Sequence, residues 1–427
     1  MTHWQRVLAA LLLLACAAGV RAGWDEEKVI RISPRDVPAA AGLPIRQLRV
    51  ATFRQGRLEA VPFQVDEYNK AGLVWFAATG VGMSGKEGVF DADDRLFAVA
   101  ADLSAEAAPE GFVFPAGYLG ALTVGMQGDT RELHFINGDL PLSTRMYVRH
   151  DIANGTTETP FYTLEVDPKN ELNWRYLMVK SWRGNRTESL VDTLKMRISG
   201  RVVLARLTLD NDNLRPKVVG VKTGPIRSTI QLETQVVFAG MPVMKMQVQL
   251  VRYPRYFEAF THARIPKLYR SALSDPSVQV TVDGNNLRGA VTRSARSGNL
   301  LAIVDGSLDA AEEQMIGRGL SASEDWILFD SRNGFSMLTF LEVPPELRNV
   351  PLQLVYEDDA RKSDKPERVR GQFPNVGYGI RGFPPGEDFR FGVTLAFDKD
   401  LASTDARGYV TRWRAPADFR FTPYVRP

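Results

Sequence analysis

The dominant pattern in the chain is a strict alternation of apolar and polar side chains. Between Ile226 and Phe238, every second residue belongs to a mostly apolar face, and the residues between them are polar. The alternation resumes from Met244 to Leu250 after the short turn "AGMP". A period of two is typical of half-buried strands, and a short turn containing glycine joins antiparallel neighbours. The two runs therefore predict an antiparallel hairpin.

Similar short apolar runs recur along most of the chain, separated by Gly, Pro, Asn and Asp. The one helical pattern is "SLDAAEEQMIG", residues 307–317, with Ser307 as the expected N-cap and Gly317 as the stop. The long strand-helix-strand spacing of a parallel sheet is missing. We therefore predict an all-β protein of large antiparallel β-sandwiches, with two β-rich modules and one short helix.

Breaks in the strand pattern divide the chain. We expect a signal peptide over residues 1–22, an N-terminal β module over 23–154 and a larger β-sandwich module over 155–427. Within the last module, residues 357–388 are dense in charge, glycine and proline. Such a segment is typical of a long irregular loop.

The first residues predict export. Arg6 precedes an apolar run from Val7 to Val20, and small residues follow up to Ala22, which is the plan of a secretory signal peptide. The run is shorter than the roughly 20 residues that cross a bilayer, and no other stretch predicts a transmembrane segment. A periplasmic or secreted protein is expected. The alternative is an outer-membrane lipoprotein, with the lipid on Cys16.

Composition removes several function classes. Without residues 1–22 the chain has 51 basic and 50 acidic side chains, so it lacks the basic surface that binds nucleic acid. Cys16 is the only cysteine, so cleavage after residue 22 would leave no thiolate for zinc or iron–sulfur sites. The spacing of Gly80, Gly82 and Gly85 suits a dinucleotide site, but no helix pattern follows it.

Two stretches suggest metals, and each has a structural alternative. Asp91, Asp93 and Asp94 offer the oxygen ligands that calcium prefers, although acids before a strand also form ordinary turns. The methionines of "MPVMKM" resemble copper(I) ligands, but Met244 and Met246 share the apolar face of their strand, which favours core packing. We therefore expect no cofactor, with calcium as the possible exception.

A candidate cleft follows the methionines. If the strand continues through Pro254, its inward face becomes polar and carries Tyr256, Glu258, His262 and Arg264. Such side chains in a groove could transfer protons and neutralise a carboxylate. The alternatives are a break of register at Pro254 or an exposed ion-pair network.

A family resemblance rests on "VKTGPIRSTIQLET", with Gly224, Pro225 and Arg227 opening a long alternating strand. This segment resembles the large β-sandwich domains of galactose-mutarotase-like proteins and polysaccharide lyases over about residues 155–400. The stretches "VPFQVDEYNKAGLVWF" and "FDADDRLFAV" also resemble the N-terminal strands of uncharacterised exported bacterial all-β proteins. The resemblance implies a fold. Lyases of that kind use Asn or His with Tyr and Arg, and no such motif maps residue by residue onto this chain.

Two hypotheses for the function follow. The first is a non-enzymatic exported protein that binds a glycan or a cell-envelope partner, with Trp174, Trp182 and Trp413 as candidate stacking surfaces. The second is a polysaccharide lyase or mutarotase-like enzyme. In that enzyme Tyr256 or His262 would transfer the proton, Arg264 would neutralise a carboxylate and Glu258 would orient it.

Overall fold

A computed structural model describes residues 24–202, 205–382, 386–398 and 405–425. The predicted signal peptide and Cys16 lie outside the described residues. Within the described ranges, no helix is long and apolar enough to cross a membrane.

Strands make up most of the regular structure, and the paired strands of the four larger sheets run antiparallel, so the all-β prediction is confirmed. The first thirteen are β1 (Val29–Ile32), β2 (Leu48–Arg54), β3 (Arg57–Ala60), β4 (Phe63–Asp66), β5 (Arg95–Val99), β6 (Tyr118–Met126), β7 (Asp129–Asn137), β8 (Arg149–Asp151), β9 (Thr156–Glu158), β10 (Tyr162–Asp167), β11 (Asn170–Val179), β12 (Val191–Val202) and β13 (Ala205–Leu209). The others are β14 (Leu214–Thr223), β15 (Ser228–Phe238), β16 (Met241–Arg252), β17 (Tyr256–Arg264), β18 (Ser274–Gly284), β19 (Val291–Ser294), β20 (Ala302–Ile303), β21 (Ile327–Asp330), β22 (Ser336–Glu342), β23 (Leu352–Asp359), β24 (Gln372–Arg381), β25 (Asp388–Asp398) and β26 (Asp418–Pro423).

Helices are few and short. The α-helices are α1 (Lys267–Ala272), α2 (Ala310–Arg318) and α3 (Ala406–Arg414). Single 3-10 turns occur at Pro38–Ala40, Ile45–Gln47, Ala77–Thr79, Ala100–Asp102, Asn211–Asn213 and Pro345–Leu347.

The predicted helix exists as α2, but its ends were predicted wrongly. Asp309, and not Ser307, is the N-cap, because its side chain accepts from the amide of Glu312 while the Glu312 side chain accepts from the amide of Asp309. Ser307 instead bonds to Asp305. The helix passes Gly317 and ends at Arg318, with Gly319 as its C-cap, where a φ of 58° suits glycine.

The chain divides into two compact units, and the division differs from the predicted one. The first unit contains residues 24–65, 88–143 and 416–425, and the second contains 66–87 and 144–415. The predicted boundary after residue 154 lies inside the second unit. One boundary in the sequence cannot describe this division. Residues 66–87 interrupt the first unit but belong to the second, and residues 416–425 follow the second unit but belong to the first.

The first unit is built from two sheets, with strand orders β1-β5-β4 and β26-β6-β7-β2-β3. Its core lies between them and contains Ile32, Val50, Leu122 and Phe135, all almost fully buried.

The second unit has three sheets, in the orders β11-β10-β9-β8, β13-β12-β18-β24-β23 and β14-β15-β16-β17-β25-β22-β21-β19-β20. One continuous core contains Met196 and Val282 from the five-stranded sheet and Leu232 and Val248 from the nine-stranded sheet. Met244 and Met246 are buried in the same core, so the strand pattern alone explains them.

The predicted irregular loop over residues 357–388 is largely wrong. β23 continues to Asp359, and β24 occupies Gln372–Arg381 within what looked like loop sequence. Its glycines mark close backbone approach: a Cβ at Gly377 would lie 2.2 Å from the carbonyl oxygen of Val280 on the adjacent strand. The irregular part between these two strands is residues 360–371.

The strand does not continue through Pro254, so the condition on which the candidate cleft depended is not met. The chain reverses there, and β16 and β17 form a hairpin closed by a bond from the Tyr253 amide to the Tyr256 carbonyl (2.9 Å). Met246 lies opposite Ala263, whereas His262 lies opposite Gln247. Because directly paired residues point to the same side, His262 and Met246 are on opposite faces of the sheet.

Candidate functional site

The candidate site lies on the face of the nine-stranded sheet that points away from the core. Directly paired residues of five neighbouring strands form one line of polar side chains across this face. We call this line the polar row: Lys217, Glu233, Gln247, His262 and Arg390. Gln247 and His262 are half-buried, and the other three residues are exposed. The polar row thus brings an amide, a carboxylate, an imidazole and two cations to one accessible surface.

An aromatic ring lies beside the polar row. Phe260 is half-buried, and in the next line of paired residues it has Gln249 on one side and Gly392 on the other. A Cβ at Gly392 would lie 3.0 Å from two carbons of the Phe260 ring, so the ring rests on the backbone of β25. The absence of a side chain at Gly392 therefore lets the ring lie against the sheet.

A segment from earlier in the chain forms a wall beside this surface. We call residues 66–87 the strap. The Gln249 side chain accepts from the Val74 amide (3.0 Å) and donates to the Val74 carbonyl (3.1 Å), as a neighbouring strand would. It also donates to Gln231 Oε1 (2.9 Å). Arg390 of the polar row donates to the Ala71 carbonyl (2.9 Å), so the strap reaches the edge of the row.

A buried arginine fixes the start of the strap. Arg227 is 2% exposed and donates to Asp66 Oδ2 (2.6 Å), to the Tyr68 hydroxyl (3.0 Å) and to the Tyr253 hydroxyl (2.5 Å). Lys222 lies 3.0 Å from the other oxygen of Asp66. Charge-assisted bonds of this kind are among the strongest in proteins. The "GPIR" turn that the sequence singled out therefore holds the strap in place.

The structure does not bring the predicted catalytic residues together. Tyr256 is 2% exposed, stacks on Tyr253 at 4.1 Å between ring centroids and meets Trp413 of α3 edge-on at 4.3 Å. Glu258 is also buried. His262 and Arg264 lie farther along β17 in accessible positions, within 3.4 Å of Asp388 and 3.3 Å of Glu387 respectively. At about 3.3 Å per residue, Tyr256 and Arg264 lie far apart on one strand.

The three predicted tryptophan surfaces differ. Trp174 is 1% exposed and packs edge-on against Phe257 in the core, so the prediction that it stacks on a sugar is wrong. Trp413 is half-buried between Tyr256 and Phe340. Trp182 is half-buried, and its indole N–H donates to the Asn185 carbonyl (3.1 Å). Neither of these two lies in the polar row.

The predicted calcium ligands form a turn in the first unit. Asp94 is buried and its carboxylate accepts from the Asp91 amide (3.0 Å), whereas Asp93 is exposed. Among the residues that the structure describes, these three carboxylates do not converge on one point. The turn alternative therefore explains their spacing.

A buried histidine in the first unit predicts acid sensitivity. Burial lowers the pKa of His134 to about 4, and its Nδ1 lies 2.8 Å from the Tyr118 hydroxyl. The unfolded chain, with a histidine pKa near 6.5, binds this proton first, so stability falls as pH drops from about 6.5 to 4. We expect a loss of roughly 2–3 kcal/mol over this interval.

Urea denaturation of wild type and His134→Gln at several pH values tests this. Between about pH 6.5 and 4, the free energy of unfolding of the variant should depend much less on pH than that of wild type. Between about pH 7 and 8, the free energies of unfolding of both proteins should show the same pH dependence. An unchanged acid dependence in the variant would contradict the assignment.

No family model and no curated protein matches the sequence. Among solved structures, the α-N-acetylgalactosaminidase NagBb from Bifidobacterium bifidum matches with a TM-score of 0.38 and 12% identity, over 60% of this chain and 38% of that chain. A putative aldose 1-epimerase from Klebsiella pneumoniae matches with a TM-score of 0.35 and 10% identity, over 61% and 83%. A GalM/aldose epimerase homologue from C. elegans matches with a TM-score of 0.29 and 9% identity, over 57% and 95%.

The weak resemblance to mutarotase-like proteins that the sequence suggested is thus confirmed at the level of distant structural similarity. Scores of this size carry no argument about activity.

Proposed function

We propose that this chain is an exported, non-enzymatic protein that binds a glycan of the cell envelope on the polar row, with Phe260 as the stacking surface. The supporting observation is the half-exposed Phe260 ring lying against Gly392 directly beside the row. A sugar has an apolar ring face and a rim of hydroxyl groups. An aromatic ring can stack on the face, and amide, carboxylate and guanidinium groups can bond to the rim.

The strap supports the same proposal, because it gives the flat sheet a side wall. A ligand lying along the polar row would contact the sheet below it and the strap beside it, where Arg390 joins the two. Enclosure from two sides buries more ligand surface than a flat sheet does.

The positions of Tyr256 and Glu258 favour binding over catalysis. Both side chains belong to the sheet face that carries His262, but both are buried there, and Tyr256 is packed against Trp413. A general acid or base must reach the proton that it transfers. The enzyme alternative would need these side chains to become accessible. Absorbance of unsaturated uronate products on a panel of acidic polysaccharides tests a lyase directly, and we expect no signal.

The binding test is a glycan panel followed by calorimetry. We expect Phe260→Ala to weaken the interaction at least about 10-fold, because truncation of a stacked aromatic anchor costs more than about 1.4 kcal/mol. Tyr176→Ala is the matched control. Tyr176 is a half-buried aromatic residue of the same unit on the four-stranded sheet.

If Phe260→Ala and Tyr176→Ala both bind the glycan with the affinity of wild type, the ligand does not bind at Phe260. Absence of binding across soluble glycans and isolated envelope fractions would refute the proposed function.

A further inference from the structure

A second cluster of charged residues lies on the outer face of the five-stranded sheet, under residues 360–371. Lys195 of β12 is completely buried at its centre. Its ammonium lies 2.5 Å from Asp283 Oδ2, 3.3 Å from Glu367 Oε2 and 2.9 Å from the Asp364 carbonyl. The contacts with Glu367 and the Asp364 carbonyl are hydrogen bonds, and the contact with Asp283 is an ion pair.

Asp192 is the third acid of the cluster. A register shift between Val191 and Thr193 marks a bulge at this residue, and bulges redirect side chains. Its carboxylate accepts from the amides of Arg368 (3.0 Å) and Val369 (3.1 Å) and lies 3.3 Å from the Arg368 guanidinium. Asp192 thereby also ties residues 360–371 to the sheet.

Acidic side chains outnumber basic ones among the described contacts of this cluster. Asp192, Asp283 and Glu367 face the two cations Lys195 and Arg368. The neighbouring acids Asp364 and Glu357 contact other cations, Arg197 and Lys362. Asp192 and Asp283 are completely buried, and buried charges are normally paired or coordinate a metal.

Buried oxygens without partners lie at the same place. Asp283 Oδ1, Thr281 Oγ1 and Asn375 Oδ1 each have no hydrogen-bond donor within the described residues. Asp283 is directly paired with Asn375 across β18 and β24, and Thr281 is two residues away on the same face. Buried polar atoms of this kind are rare in native structures and call for an explanation, such as a bound ion.

We propose that this cluster is a binding site for a divalent cation of the calcium type. Its ligands are Asp192, Asp283 and Glu367, completed by the side-chain oxygens of Thr281 and Asn375. One oxygen from each of the three carboxylates lies within 4.8 Å of the others, which is compatible with calcium–oxygen distances of about 2.3–2.6 Å. An all-oxygen donor set selects hard cations over zinc or copper.

Lys195 remains beside the ion and shares carboxylates with it, because its ammonium contacts Oδ2 of Asp283 and leaves Oδ1 available. The bound ion adds positive charge beside the three carboxylates, and it holds residues 360–371 against the sheet because Glu367 lies in that segment while Asp192 and Asp283 lie on the sheet. Its role is therefore to stabilise the second unit.

The experiment is calorimetric titration of the EDTA-treated full chain with calcium chloride and, separately, magnesium chloride at about pH 8. We expect saturable calcium binding at one site and a rise in the midpoint of thermal unfolding. Asp283→Asn should abolish both. Thr281→Val, which keeps the side-chain shape, should weaken calcium binding about 10-fold.

Thr292→Val is the matched control. Thr292 is also fully buried, and its hydroxyl has no hydrogen-bond partner within the described residues, but it lies on β19 of the nine-stranded sheet. It should leave calcium binding unchanged. The proposal is overturned if neither ion binds up to about 10 mM, beyond the dissociation constants of weak protein calcium sites. It is also overturned if Thr292→Val weakens binding as much as Thr281→Val.

Discussion

Replacing Arg227 with methionine is expected to detach the strap and to lower the free energy of unfolding of the second unit by about 3–5 kcal/mol. Arg227 is 2% exposed and donates to Asp66, Tyr68 and Tyr253. Methionine keeps much of the volume but removes every donor. The Asp66 carboxylate, which is completely buried, would lose the shorter of its contacts with Arg227 and Lys222, and removing a cationic partner of a buried charge is costly.

Two measurements separate a local effect from general damage. Urea denaturation gives the loss of stability, and hydrogen exchange reports on the amides of residues 66–87. We expect exchange in the strap to accelerate more than exchange in the core strands. The Val74 amide is the most informative position, because the Gln249 side chain protects it.

Lys222→Met is the matched control for Arg227→Met. Lys222 contacts the same carboxylate at 3.0 Å, but its side chain is 35% exposed. Exposed ion pairs contribute about 0–1 kcal/mol, so this variant should keep the strap protected. Equal effects of the two substitutions would contradict the anchoring role of Arg227.

The same contacts link stability to the proposed function. Because the strap forms the wall beside the polar row, its release should also weaken ligand binding without any change to Phe260 or His262. Arg227→Met should therefore lose affinity at temperatures where circular dichroism still shows the folded sheets. Lys222→Met should not.

The local strand pattern was predictable from the sequence. The alternation from Ile226 to Leu250 predicted the β15–β16 hairpin, and the structure pairs Val236 with Met244 as that pattern requires. The prediction works because one face of each strand is buried, and the alternation of apolar and polar side chains shows which face that is.

The course of the chain beyond Leu250 was not predictable in the same way. Alternation is unaffected by a tight reversal that returns the chain onto the same sheet, so the pattern could not distinguish a continuous strand from a hairpin at Pro254. The polar row consequently has other members than the predicted cleft. Of the predicted residues only His262 belongs to it, together with Gln247, which the alternation assigned to the polar face.

Sites assembled from distant segments leave no signal in one sequence. Lys195, Asp283 and Glu367 meet only because β12 pairs with β18 and residues 360–371 fold over both. Likewise, nothing local in residues 66–87 indicates that Gln249 binds them. In both places the chemistry depends on long-range strand order.

A second buried arginine should show a large and strongly non-additive effect. Arg252 is completely buried and pairs with Glu171, which is 1% exposed. Removing only one partner leaves the other charge buried and alone, so Arg252→Met should lower the free energy of unfolding by about 3–5 kcal/mol. The double variant Arg252→Met/Glu171→Leu should be much closer to wild type, because it buries no unpaired charge.

A double-mutant cycle by urea denaturation measures this coupling, which we expect to reach about 2–3 kcal/mol for side chains in direct contact. Additive effects of the two substitutions would show that the pair is not coupled. Additive effects are also expected if each substitution destabilises the protein only by removing side-chain volume, because both losses of volume remain in the double variant.

The neighbouring histidine provides an independent readout of the same interaction. Burial, followed by the charge of Arg252, lowers the pKa of His150 to about 4. The guanidinium lies 2.9 Å from His150 Nδ1, an arrangement that requires a neutral ring as the acceptor. In the double variant this cation is absent while most of the burial remains. The His150 pKa, followed by NMR titration, should therefore rise but stay below the ordinary value of about 6.5. An unchanged pKa would mean that Arg252 does not act on the ring.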